Sequence, residues 1–264
     1  SSQEELHQVL AQMITPLKDF HVNLFDTAND KEFSVSRKED KSDILLNRFK
    51  ASLGILGALN DTQHAMFEEF YDHMHQYSYD VIFSHLDNES LMGSNEIETI
   101  LWGKTPDNLG YLFLETMELE DIGDNDKSKQ HNLDELAKTL DSALDDLANI
   151  DGLVIDVRYN DGGDDFVGQY IIGRLIDAPL HVYSKQARLG NTRTALQEVH
   201  VEPSEKSKYL GPIVLLTSQG TSSAAETFAI SVRARDNTTL IGESSAGGLS
   251  DMLPKTLPYG LTYT

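Results

Sequence analysis

Gly152-Leu153-Val154-Ile155-Asp156-Val157-Arg158 runs directly into Tyr159-Asn160-Asp161-Gly162-Gly163. A nearly unbroken apolar run of this length fits a strand buried on both faces, as in a parallel sheet with helices above and below. The glycine pair behind it lets backbone N–H groups approach a ligand closely, and tight turns use the same residues. A second run, Pro212-Ile213-Val214-Leu215-Leu216-Thr217, passes through Ser218-Gln219-Gly220 into Thr221-Ser222-Ser223-Ala224-Ala225-Glu226 and a helix expected to end near Arg235. Ligands of open α/β sheets bind beyond the carboxyl ends of the strands, so these two strand-to-helix turns are where chemistry is expected.

The same alternation extends outward on both sides. Leu133, Leu136, Leu140, Leu144 and Leu147 line one face of a helix, and a further helix is expected over 166–176. Strands are expected at 99–102, 109–114, 180–183 and 239–241, the first two joined as a hairpin through Gly103 to Asn108. Residues 99–264 therefore read as an α/β core. Residues 1–98 read as a mostly helical N-terminal region. Its amphipathic helix spans 4–17, and a short strand over 21–26 has His21 near its beginning. A loop follows, with a strand edge at 33–35, and then two helices over 44–59 and 63–83 form a small appended bundle.

Composition narrows the function classes. The chain has 264 residues, 43 acidic against 21 basic, for a formal net charge of −22. Such a charge repels phosphate backbones and anionic leaflets, which argues against a nucleic-acid partner. There is no cysteine, so no disulfide, thiol nucleophile or Cys-based zinc site exists. No stretch reaches the length of an apolar membrane span, and the polar start Ser1-Ser2-Gln3-Glu4-Glu5 is not a signal peptide. The acidic segment 118–130 lacks the Asp-x-Asp-x-Asp-Gly pattern of a calcium loop and reads as solvated; no metal is expected.

Three hydroxyls, Thr221, Ser222 and Ser223, stand where the second strand enters its helix. Hydroxyls here serve as N-caps. They can also serve as nucleophiles, because the positive helix end and its N–H groups can hold a developing oxyanion. Both readings fit the turn by itself.

In order and spacing the two turns resemble the tail-specific, or C-terminal-processing, serine protease family. In that family a strand of the type Gly-Leu-Ile-Leu-Asp-Leu-Arg-x-Asn-x-Gly-Gly precedes a Gly-Ser/Thr-Ala-Ser-Ala-Ser-Glu segment. Leu240-Ile241-Gly242-Glu243 and Leu257-Pro258-Tyr259-Gly260-Leu261 look like its later segments. The resemblance covers about 108–261 and implies a ClpP- or crotonase-like core of parallel strands and helices. Carried over residue by residue, the family's nucleophile is the serine three before the glutamate, Ser223. The oxyanion donors it implies are Ala224 with Gly162 or Gly163.

One departure is informative. The lysine-dependent branch carries its base at the position of Gly248, in Ser245-Ala246-Gly247-Gly248-Leu249, and this chain has no lysine there. The resemblance then shifts to the serine-histidine branch, which includes nisin-resistance and interphotoreceptor retinoid-binding proteins and takes its base from an Asp-x-His segment. Asp19-Phe20-His21 looks like that segment. An imidazole can take and return the serine proton, which the hydroxyl itself cannot release at neutral pH. Asp19, Glu226 and Glu243 are the candidate orienting carboxylates, Glu226 being equally a capping-box partner of Ser223.

The expected function is a serine endopeptidase of the tail-specific type, cleaving peptides or protein tails with no metal or organic cofactor. The alternative is a catalytically inactive member that binds a hydrophobic ligand or peptide. An enoyl-CoA hydratase-like enzyme would share the glycine turns but would not need the serine. The PDZ insert of many members is not expected, since 38–85 reads as helix, and the family suggests a periplasmic, envelope or secreted setting.

Overall fold

The computed structural model describes residues 3–35, 41–119 and 126–264. Among them are helices α1 (Gln3–Ile14), α2 (Lys41–Leu53), α3 (Asp61–Ser84), α4 (Asp126–Asp146), α5 (Asp165–Gly173) and α6 (Ala224–Ala234). The strands of the first half are β1 (Asn23–Asp26), β2 (Lys31–Ser34), β3 (Gly93–Ser94), β4 (Ile100–Lys104), β5 (Leu109–Leu114) and β6 (Gly152–Asp156). Those of the second are β7 (Leu180–Lys185), β8 (Arg188–Leu189), β9 (Thr192–Arg193), β10 (Gln197–Val201), β11 (Ile213–Thr217), β12 (Thr238–Gly242), β13 (Lys255–Thr256) and β14 (Leu261–Tyr263). They divide into two compact units, 72–247 and 1–71 with 248–264.

The larger unit is built on a six-stranded sheet in the order β12-β11-β6-β5-β4-β3. β5, β6, β11 and β12 run parallel, while β3, β4 and β5 form an antiparallel meander. Register aligns Leu112, Ile155, Leu215 and Leu240 across the parallel strands. The period-2 geometry of a strand then sorts side chains between two faces. Ile100, Trp102, Leu112, Leu114, Leu153, Ile155, Ile213 and Leu215 pack with α4, α5 and α6 in the main core. Leu101, Tyr111 and Phe113 point the other way and pack with Ile82 and Leu86 at the end of α3. β6 lies between two parallel neighbours, as its apolar run requires. Arg174 is fully buried behind the sheet, where Asp141, at 2.7 Å, and the Ser207 carbonyl accept its guanidinium N–H groups.

α5 and α6 pack closely because Gly168 faces Phe228; a Cβ at Gly168 would lie 3.2 Å from the Phe228 Cβ. Asp165 at the start of α5 accepts a 2.7 Å hydrogen bond from the Thr227 hydroxyl of α6. β7 and β10 form a separate antiparallel pair, with β8 and β9 a short hairpin between them.

The smaller unit holds an antiparallel sheet in the order β13-β14-β1-β2, with α1 against β1. Phe49 of α2 packs on Phe67 and Phe70 of α3.

The compact units do not divide between residues 98 and 99. The last strand, β14, pairs with β1, so 248–264 belong with the N-terminal residues. The second half of α3 belongs with the larger unit, to whose core it supplies Ile82, while its first half packs on α2. Strand partners and helix faces decide membership, and neither is local in sequence. Of the acidic segment, residues 120–125 lie outside the described residues, and from Asp126 the chain is already helical.

Phe228 is 1% exposed and fills the α5–α6 contact. Phe228→Ala is expected to cost about 3–5 kcal/mol of stability, read as a lowered urea midpoint.

Candidate active site

The β6 and β11 turns are bound to each other through main-chain carbonyls. Within the β6 turn, the Val157 carbonyl accepts the Thr221 hydroxyl at 2.7 Å, and the Arg158 carbonyl accepts the Ser218 hydroxyl. The Asn160 carbonyl accepts the Ser222 N–H at 3.0 Å, and the Asp161 carbonyl accepts the Ser222 hydroxyl at 2.8 Å. Thr221, Ser222 and Asn160 are fully buried, so each of these bonds also satisfies a group that would be costly to leave unpaired. Asn160 extends the tie to β5, donating its side-chain N–H to the Leu114 carbonyl at 3.0 Å. Below the turn, buried Asp156 accepts the Arg158 guanidinium at 2.6 Å and the Tyr111 hydroxyl at 2.5 Å. Burial and the Asp156 charge push the Tyr111 hydroxyl well above the ordinary tyrosine range, so it stays a donor.

Ser223 follows at the N-terminus of α6 with φ 55° and ψ −124°. A non-glycine residue is rare there, and such a conformation costs about 1–3 kcal/mol, which the surrounding turn must offset. Glu226, buried one turn on, does part of this: one carboxylate oxygen accepts the Ser223 N–H at 3.0 Å, the other the Gly247 N–H at 2.7 Å. Gly162 is why the turn can sit so close. A Cβ there would lie 2.7 Å from the Ser223 Cβ and 3.2 Å from the Ala224 nitrogen, and its φ is 114°. The Gly162 N–H is held by the Asn160 side-chain oxygen at 3.0 Å. Gly163, φ 132°, is exposed and abuts Met117, whose N–H donates to the Gly162 carbonyl at 2.7 Å.

In the smaller unit, Asp19-Phe20-His21-Val22 forms a tight turn just ahead of β1. The Val22 N–H donates to the Asp19 carbonyl, and the His21 N–H to Asp19 Oδ1 at 3.0 Å. This Asx-type turn requires the aspartate two residues before the histidine. It also carries Asp19 Oδ1 to 3.3 Å from His21 Nδ1. Ser250 completes the cluster, its hydroxyl donating to Asp19 Oδ2 at 2.6 Å and lying 3.3 Å from His21 Nδ1. The serine's single proton goes to Asp19, so Nδ1 faces two acceptors and must carry the imidazole proton. That leaves the lone pair on Nε2, the tautomer a general base needs. The Phe20 ring lies 4.2 Å from the imidazole, centroid to centroid, and occupies the space a side chain at Gly248 would need.

Residues 108–264 match the sequence profile of peptidase family S41. The chain belongs to this family. Tricorn protease of Thermoplasma volcanium is 32% identical over 108 residues, which are 41% of this chain and 9% of that protein. The chain thus spans about a tenth of the curated relative it matches. A Parabacteroides merdae crystal structure superposes with TM-score 0.65 at 20% identity, covering all of this chain and 69% of its own. Mature CPAF complexed with lactacystin superposes with TM-score 0.51 at 16% identity, covering 66% of this chain and 47% of that one. These two likenesses show a shared fold, in keeping with the mixed α/β architecture, and the profile match agrees with the family read from the motifs.

Against this S41 framework the expected residues fall as follows. Ser223, Ala224 and the two glycines share one corner of the larger unit. Gly162 does not offer its N–H, because Asn160 holds it; Gly163 is the exposed member of the pair. Glu226 is engaged by two backbone N–H groups as a cap. Glu243 is exposed, and its main chain pairs with Thr217. Asp19 is the candidate carboxylate in contact with His21. The sequence reading missed Ser250, 229 residues beyond His21, because no local pattern marks it. It also missed the tying roles of Thr221 and Ser222. Among the described residues no cluster of three or more His, Asp or Glu could hold a metal, and no helix is long and apolar enough to cross a membrane.

Two outcomes test this geometry. Ser222→Ala removes a buried hydroxyl that bonds the Asp161 carbonyl, and is expected to cost about 1–3 kcal/mol in chemical denaturation. At Gly248 a Cβ would lie 2.0 Å from the Phe20 ring. Gly248→Ala is therefore expected to displace Phe20 and shift the His21 ring resonances in NMR spectra, and unchanged spectra would refute the packing.

Proposed function

We propose that the chain is a serine endopeptidase of the tail-specific type, acting on peptides or protein tails through an acyl-enzyme on Ser223. The observation that carries this reading is the backbone of Ser223. A residue held at φ 55° and ψ −124° on a sharp strand-to-helix turn, with a glycine cleared away beside it, is built to present its hydroxyl. Ser223 also forms a capping box with Glu226, but a simple N-cap has β-region angles and needs no such strain.

In the proposed reaction His21 Nε2 takes the Ser223 proton as the hydroxyl oxygen attacks the substrate carbonyl. The oxyanion of the tetrahedral intermediate is held by the N–H groups of Ala224 and Gly163 at the positive end of α6. The amide C–N bond breaks as His21 returns the proton to the leaving amine. Water then attacks the ester, His21 accepting its proton and handing it back to Ser223. Asp19 and Ser250 keep the proton on Nδ1 throughout and stabilise the transient imidazolium.

A fluorophosphonate probe is expected to label the wild-type chain and to fail on Ser223→Ala and His21→Ala. Labelling that survives Ser223→Ala would sink the nucleophile assignment. In peptide hydrolysis each of these two variants is expected to lower kcat by about 10³-fold or more. Asp19→Asn, which no longer demands a proton on Nδ1, is expected to lower kcat more than it raises KM.

A further inference from the structure

The wall of the β6 turn has a second side. Thr116 and Met117 bond to the Gly162 carbonyl, and the Asp164 N–H donates to the Met117 carbonyl. Thr116 and its neighbours Glu118 and Leu119 also line a cleft of about 180 Å³ between the β3–β4 end of the sheet and α4. The segment 116–119 that follows β5 thus touches both the candidate oxyanion corner and this cleft, inside a single unit.

Its lining has a definite chemistry. Ile100, Trp102 and Leu136 form a buried apolar part of the lining, neutral side chains such as Ser94, Thr139 and Ser142 supply most of its polar groups, and its charged groups are Glu96, Glu118, Glu135 and Lys138. Lys138 is the cation present, and its ammonium is already bonded to Glu135. That bond and the nearby charges of Asp134 and Glu96 raise the affinity of Lys138 for its proton, a sign of a negative local potential. Glu96 and Glu118 are exposed and have no ion-pair partner among the described residues. An apolar slot under unpaired carboxylates suits a side chain with an aliphatic stem and a cationic end, which buries the stem and keeps the charge at the mouth.

We infer that this cleft is a specificity subsite that receives a lysine or arginine side chain of the peptide substrate. The inference rests on the peptidase reading above and names the substrate class it would favour. A cationic residue gains from Glu96 and Glu118, whereas an acidic one meets their repulsion and that of the whole molecule's excess negative charge.

Trp102 is the only tryptophan of the chain and lines the cleft, so its fluorescence reports occupancy separately from bond cleavage. The test titrates the Ser223→Ala protein with acetyl-Ala-X-Ala-amide peptides in which X is lysine, norleucine or glutamate. Lysine is expected to perturb Trp102 at about tenfold lower concentration than norleucine, which keeps the four-carbon stem without the ammonium, with glutamate weakest and the lysine advantage shrinking with added salt. Glu96→Gln with Glu118→Gln should remove the lysine advantage while leaving norleucine unchanged. Thr139→Phe, which fills the cleft from α4, should abolish the response to all three. Equal responses to the three peptides, or a lysine advantage that survives the double substitution, would overturn the subsite. Wild-type protein that binds lysine peptides in this way without hydrolysing them would keep the subsite and refute the peptidase. Hydrolysis with no preference for lysine and no Trp102 response would keep the peptidase and refute the subsite.

Discussion

Four carbonyls of the β6 turn, those of Val157, Arg158, Asn160 and Asp161, accept hydrogen bonds from Thr221, Ser218 and Ser222. This lattice is the constraint on which the larger unit's candidate chemistry depends. Parallel strands leave their connecting turns at one edge of the sheet, where nothing in the ladder aligns them. Side-chain hydroxyls supply the missing alignment, and buried Asn160 carries it on to β5. With the turns clamped, the strained backbone of Ser223 is over-determined by its surroundings, which is the condition under which such strain persists. The dense run of small polar residues from Ser218 to Ser223 thus has a structural purpose.

The His21 cluster of the smaller unit is organised by different means. A two-residue Asx turn sets Asp19 against His21, a hydroxyl from far along the chain closes the far side, and an aromatic ring backs it. Phe20 lies over the space a side chain at Gly248 would occupy. A lysine at that position and an aromatic backing for the histidine are mutually exclusive packings here. The missing lysine is therefore a steric feature of the histidine arrangement as well as a missing group.

Much of the larger unit was legible because its signals are local. The apolar runs of β6 and β11, the leucine face of α4 and the glycine pair each depend on residues within one element. Elements without a strong apolar pattern, such as β8, β9, β10 and β13, were not legible. Nor was the division of the chain, because β14 finds β1 across more than two hundred residues and α3 lends only its final turns to the sheet. The three candidate carboxylates looked equivalent for the same reason: each lay at a plausible spacing, and spacing says nothing about which oxygen meets which nitrogen.

By itself, then, the sequence determined the α/β class, the two turns that matter, the family, and the residue types able to carry a serine reaction. These follow from period, run length and short-range turn chemistry, which act over a few residues. Tertiary structure alone decided that Asp19 and Ser250 meet His21 and that Glu226 caps the serine turn. It also decided that Asn160 withdraws the Gly162 N–H and that Ser223 bears strain. Each of these is settled by hydrogen-bond geometry and steric contact measured in tenths of an ångström, mostly between groups that only the folded chain brings within reach.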